Sequence, residues 1–270
     1  MRLLAILVGA KSAPACLDAA AVAARTLGDG AIEALNVLVD PEQIVAPSEE
    51  VEFQRLRERR EGKAQERAAA THAAFASWQA QADAPAVQWK SVVGTEEEAV
   101  RQEARQADVV VLVLARESNL DSGDALHASV YRSGKPVLLV PIDWRCDGRT
   151  RFEHVVVALS DSEAARHAIR GASPMMRGAA RVTALRIGTP KDRAVELIAL
   201  LREAGVDPKL RIVAPSGKDL GAQIVAEAKA LRADLLVAGA YRHSEMVEWL
   251  VGGTTRHMLA AADLPLLLAH

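Results

Sequence analysis

Cysteine is nearly absent from this 270-residue chain: Cys16 and Cys146 are the only two, with no CxxC pair and no Cys/His cluster. That excludes a disulfide framework and a structural zinc site, and two reduced, buried thiols of a cytoplasmic protein are the expected reading. Aromatic residues make up only 3% of the chain, and charge is nearly balanced, 33 Lys and Arg against 35 Asp and Glu. A formal charge of -2 gives no long-range attraction for nucleic acid or an anionic membrane surface. No apolar run approaches the roughly 18 residues of a membrane span. Neither HExxH nor GxSxG occurs, so His154, His167, His243, His257 and His270 read as surface or capping residues, and Ser160-Asp161-Ser162 near His167 as a chance grouping.

What is abundant is apolar: half of the residues are hydrophobic, enough for a core in each of two domains. The opening MRLLAILVGAKSAPAC imitates a secretory signal loosely, but its apolar run is short and Lys11 follows at once. A similar stretch, HVVVALSDSEAA, opens the second half, where no signal functions, so a first β-strand is expected.

Short runs of Val, Leu and Ile alternate with longer Ala-rich amphipathic segments. Strands are predicted at Leu3–Val8, Ala34–Val39, Val87–Val93, Val109–Leu114 and Val137–Val140, with helices near 14–27, 49–82, 95–106 and 124–132. The order then repeats, with strands at 154–159, 180–187, 209–214, 234–238 and 265–269 and helices near 162–177, 190–204, 217–230 and 254–262. Continuous apolar strands separated by helices imply parallel sheets covered on both faces. The turn-rich segment Ile142–Arg149 breaks the periodicity. Both halves end on a turn, a proline and an apolar strand, GKPVLLVP and DLPLLLAH. An internal duplication is therefore expected, with domains 1–143 and 153–270 and two separate five-stranded sheets. The long helix near 49–82 carries Arg55, Arg57, Arg59 and Arg60 among five glutamates, which reads as a solvated face.

The informative segment is Ala233–Arg256. A buried strand ends at Gly239, about a dozen residues follow, and Gly252-Gly253 precede a helix that Thr254 or Thr255 is placed to cap. Two glycines before a helix let an oxyanion approach free backbone N–H groups at the positive dipole end. Glycine spacing alone leaves open a simple tight turn. Tyr241 is open between stacking on a base and packing against Trp249.

At these residues the sequence resembles the universal stress protein family, and its tandem two-domain members in particular. GAYRHSEMVEWLVGGTTRHML followed by ADLPLLLAH resembles that family's glycine pattern, with Gly239 and Gly252 at the matching separation. The resemblance implies two α/β/α domains of Rossmann-like, adenine-nucleotide-alpha-hydrolase-like form. It implies ATP or AMP in the C-terminal half, held by Ser160, Asp161, Gly239, Tyr241, Arg242, Gly252, Gly253, Thr254 and Thr255, with the phosphates over the helix start and the base near Val182–Ile187 and the loop after Leu159. It also implies that the closing strands of the two halves pair antiparallel as an intrachain pseudo-dimer, with further dimerisation open. Two positions depart from the pattern: Arg242 stands at the family's second glycine, and Asp161 lies one residue further from its strand. The N-terminal half has no paired glycines after its fourth strand and no aspartate after its first, so it is expected to hold no nucleotide. The readings are thus a non-catalytic adenine-nucleotide-responsive protein of a stress response with an unknown protein partner, an interaction protein that has lost nucleotide binding, and, last, a slow ATPase.

Overall fold

The structure, a computed structural model, describes residues 1–114, 123–189, 193–217, 219–240 and 253–269. Its N-terminal half contains the strands β1 (Arg2–Ile6), β2 (Ala31–Leu38), β3 (Val87–Val93), β4 (Val109–Leu114) and β5 (Val137–Pro141). Between them lie the helices α1 (Ala13–Thr26), α2 (Ser48–Glu61), α3 (Ala64–Gln79), α4 (Glu96–Glu103) and α5 (Gly123–His127). The C-terminal half contains β6 (His154–Ala158), α6 (Glu163–Arg177), β7 (Arg181–Ile187), α7 (Arg193–Glu203), β8 (Lys209–Val213), α8 (Leu220–Ala230), β9 (Leu235–Gly239), α9 (Gly253–Ala261) and β10 (Leu266–Ala269).

All ten strands join in one sheet, in the order β3-β2-β1-β4-β5-β10-β9-β6-β7-β8. Each half reads 3-2-1-4-5 from its outer edge inward, so the two are related by a pseudo-twofold axis between β5 and β10. There Leu266, Leu267 and Leu268 pair antiparallel with Leu139, Leu138 and Val137, while every other strand pair is parallel. The antiparallel closing strands are as expected. The two separate sheets are not: pairing two inner edges fuses the halves, and it removes the exposed apolar edge that each would otherwise present. β4 and β9 do not pair.

The duplication extends to individual hydrogen bonds. Asp108 Oδ2 accepts from Arg2 N (2.8 Å) and Asp234 Oδ2 from His154 N (2.9 Å), each carboxylate tying the start of its half's first strand to the approach to its fourth. Leu7 N donates to Leu35 O, and Leu159 N to Leu185 O, both at 2.8 Å. The repeated Ala-Asp before strands four and nine is a sequence signal of the internal repeat that motif reading overlooked.

Alternation along the strands sorts the core into two layers. Leu3, Ala5, Leu7, Val155, Val157 and Leu159 meet α1, α3, α6 and α7 on one face. Leu4, Ile6, Val156 and Ala158 meet α4, α5, α8 and α9 on the other.

Three local expectations are corrected. The helix predicted over 49–82 breaks between α2 and α3 at Gly62, whose φ of 90° ends α2. Arg57 does not lie on a solvated face: it is buried, and its Nε donates to Glu61 Oε2 at 3.0 Å. Cys146 is only half-buried, whereas Cys16 is fully buried, and burial pushes the Cys16 thiol up to about 12, leaving it protonated and unreactive. The connection between the halves is pinned rather than slack. Phe152 is buried and its N–H donates to Thr26 Oγ1 at 2.9 Å, while Arg149 pairs with Asp234 at 3.1 Å.

Candidate functional site

In a 3-2-1-4-5 sheet the chain leaves strands one and four toward opposite faces, and the gap opened there at the carboxyl ends is where open α/β sheets hold ligands. In the C-terminal half those strands are β6 and β9. A cavity of about 220 Å³ lies at their carboxyl ends, beside the end of β7 and beneath α8 and α9. Leu159, Leu185, Ile187, Ile224 and Met258 supply apolar wall, and Ser160, Asp161, Arg186 and Thr254 bring polar groups to it. That volume is below the roughly 300 Å³ at which small-molecule pockets begin; it suits one ring system rather than a whole nucleotide.

Arg186, at the end of β7, is the residue that motif reading missed. Its Nη1 and Nη2 donate to Asp161 Oδ1 and Oδ2, both at 3.1 Å, in a fork-to-fork pair. Arg186 is 9% exposed, and the hydrogen bonds to Asp161 push its pKa above the ordinary arginine value, so it is a permanent cation. Its Nε is buried without a hydrogen-bond partner, as is Thr255 Oγ1. A strand-end arginine carries no motif of its own; the only signal was the break in apolar alternation at Thr183-Ala184-Leu185-Arg186-Ile187.

The predicted site residues divide into three groups. Ser160, Asp161, Gly239 and Thr254 all line the cavity. Ser160 Oγ lies 2.9 Å from Ser162 Oγ, which caps α6 by accepting from Ala165 N. Gly239 has a packing reason of its own: a Cβ there would stand 2.5 Å from Ala164 C and Ala165 N, so only glycine lets β9 end against α6. Gly253, Thr254 and Thr255 form the first turn of α9, which begins one residue earlier than predicted. The two threonines therefore lie within that turn rather than capping it. A Cβ on Gly253 would meet nothing within 4 Å, so the backbone there faces open space. Tyr241, Arg242 and Gly252 lie outside the described residues.

Neighbouring contacts tie α9 to the start of α8. Asp219 caps α8 by accepting from Gly221 N at 2.9 Å, and it also pairs with His257 Nδ1 on α9. Gly221 touches α9 so closely that a Cβ would stand 2.2 Å from Thr254 O.

Superposing the halves by their hydrogen bonds puts Asn36 where Arg186 stands and Gly9 where Asp161 stands. Asn36 is buried and its Nδ2 donates to Leu7 O at 3.0 Å, so the charged pair has no counterpart in the N-terminal half. The loop after β4, residues 115–122, lies outside the described residues. Among the histidines, His154 is buried rather than at the surface. Its Nε2 lies 2.9 Å from Thr183 Oγ1 and its Nδ1 2.8 Å from Arg181 Nη2, at the strand ends opposite the cavity. No group of three or more His, Cys, Asp or Glu among the described residues could hold a metal ion, and no helix among them is long and apolar enough to cross a membrane.

These features define a tandem α/β protein with a pocket at the topological switch point of its second half. Its fold is that of the tandem universal stress proteins. A universal stress protein from Archaeoglobus fulgidus DSM 4304 matches over 99% of this chain and 95% of its own, at 12% identity and a TM-score of 0.64. A putative universal stress protein from Pseudomonas aeruginosa UCBPP-PA14 matches over 99% and 92%, at 13% identity and a TM-score of 0.54. At such identities the likeness is one of fold. A universal stress protein in complex with cAMP covers 44% of this chain and matches over 97% of its own length, at 22% identity and a TM-score of 0.38, too low to bear on the ligand of this chain. No protein-family model and no curated protein matches the sequence.

Proposed function

We propose that this protein is a non-catalytic nucleotide-binding module of the universal-stress type, with one site in its C-terminal half and none in its N-terminal half. The observation that carries this reading is the cavity between β6, β7 and α9. It offers an apolar slot for a ring at the strand ends, and Gly253 and Thr254 at the described start of α9 lie beside it, where a helix N-terminus favours an anion. A purine seated between Leu159 and Ile187 would direct its ribose and phosphates toward Gly253 and Thr254, where the missing Cβ leaves room. The sequence resemblance points to ATP or AMP as the ligand and to a stress response as the setting. The module would act by changing conformation or partner on binding. Among the described residues, the carboxylate that lines the cavity is Asp161, and its engagement with Arg186 leaves it poorly disposed to orient a hydrolytic water.

The test is to release and identify, by mass spectrometry, any nucleotide retained by the purified full chain, and to titrate it calorimetrically with ATP, AMP and GTP. Saturable binding of at least one is expected, with loss when the first turn of α9 is displaced. No retained nucleotide and no heat with any of the three would overturn the reading. That outcome would favour the second reading, an interaction protein without nucleotide, to which the Asp161–Arg186 pair also lends support because the two charges there already neutralise each other.

A further inference from the structure

α2 is joined to the body of the protein in a different way from its neighbours. Its fourteen residues bury only two side chains, Gln54 and Arg57, and both are polar. Its larger apolar residues, Val51, Phe53 and Leu56, neither belong to a core layer nor pack against one. α3, by contrast, sets Phe75 and Trp78 in the core, and Trp78 Nε1 donates to Asp18 Oδ1 at 2.7 Å. Hydrophobic burial therefore holds α3 and contributes little to α2. Among the described residues of the C-terminal half no helix stands between β7 and α7, so α2 is an addition to the repeated plan.

A polar clasp fastens this helix instead. Arg57 Nη1 lies 3.8 Å from Glu96 Oε1 on the first residue of α4, and Glu96 Oε2 accepts from Ala125 N in α5 at 3.2 Å. One carboxylate thus joins α2, α4 and α5 beyond the carboxyl ends of β3 and β4. The N-caps Thr95 and Asp219 open α4 and α8, which makes Glu96 the counterpart of Leu220. Leu220 lines the cavity of the second half, so the place that faces a cavity there is bridged by an ion pair in the first half. Both ends of α2 are suited to hinging. Gly62 follows it in the left-handed region, with a φ of 90°. Before it, the loop is tied down at buried Asp40, which accepts from Gln43 and Gln65, and then leaves Val45 fully exposed.

We propose that α2 is a strap that opens as a unit about these two ends when the Arg57–Glu96 contact parts, uncovering the carboxyl-end rim of the N-terminal half while the rest of the fold stays closed. A buried ion pair repays its desolvation only in good geometry, so the clasp favours the closed state by a narrow margin. A helix of this length is marginal in water by itself, so the released strap unfolds. Openings held by few apolar contacts lie well below global unfolding in free energy.

The experiment is hydrogen exchange read by mass spectrometry on the full chain, as wild type, Arg57→Gln, Glu96→Gln and the double variant. In wild type, amides 52–61 are expected to exchange at least about ten-fold faster than those in the middle of α1, which is packed into the core. Each single variant should speed α2 about ten-fold further and leave α1 unchanged. The double variant should do no more than the faster single, since both remove one shared contact. Melting curves identify a variant that does not fold, in which case the wild-type comparison of α2 with α1 decides alone. Exchange of α2 at the rate of α1 in wild type would overturn the strap, because α2 would then open only with the whole protein. Single effects that multiply in the double variant, or that spread equally to α1, would overturn it too.

Discussion

At the scale of single residues, several buried polar side chains are held by specific partners, and two positions expose the cost of disturbing them. His154 is buried between Thr183 and the Arg181 guanidinium. Burial first, and the neighbouring cation second, lower its pKa below the ordinary 6.5. The sign follows from proton counting: below about pH 6.5 the unfolded chain binds a proton that the folded chain resists, so stability falls as pH drops through that value toward the folded pKa. Thermal melts from pH 8 to pH 5 should show this loss with a slope of at most one proton, and His154→Gln should flatten that part of the profile. Arg186 and Asp161 carry the opposite lesson. Asp161 could be picked out in the sequence by its place after the first strand of its repeat, whereas Arg186 stood in an ordinary strand pattern. Pairing between β6 and β7 brings them together across 25 positions of sequence.

Among the elements, close backbone contact matters more than side-chain volume. Gly221 on α8 lies against α9, and a Cβ there would press into Thr254 O at 2.2 Å and Met258 N at 2.6 Å. Gly221→Ala should push α9 outward and cost about 1–3 kcal/mol, the range for overpacking a tight contact. Because the first turn of α9 moves with it, nucleotide affinity should fall together with the melting temperature. A variant that keeps full affinity would show that this turn does not hold the phosphates. Gly178 is the parallel case on the other face, where α6 ends against α1: a Cβ would stand 1.9 Å from Thr26 O. Gly178→Ala should lower the melting temperature as well, but leave affinity unchanged, since neither Gly178 nor Thr26 lines the cavity. Most elements were legible from their apolar periodicity, and the exceptions have local causes. The helix over 49–82 contains no proline and few residues that oppose helix, so only the left-handed turn at Gly62 divides it.

For the whole molecule, the join between halves is the decisive contact. Leu267 is 1% exposed and sits in the centre of the β5–β10 pairing, opposite Leu138. Leu267→Lys would bury an unpaired ammonium where the two half-sheets meet, an effect of several kcal/mol. Loss of cooperative unfolding or aggregation is expected by calorimetry and light scattering, and an unchanged melting temperature would mean that the halves do not depend on this strand pair. The sequence by itself determined the alternation of strand and helix and the duplication, because periodicity is a local property written along the chain. Only the tertiary structure decided that the two sheets become one, since an apolar edge strand states that it must be covered without stating by what. Only the tertiary structure, too, assigned Gly239 to the approach of β9 on α6 and set a buried arginine against Asp161. Both depend on distances between segments remote in sequence, and no local pattern carries those.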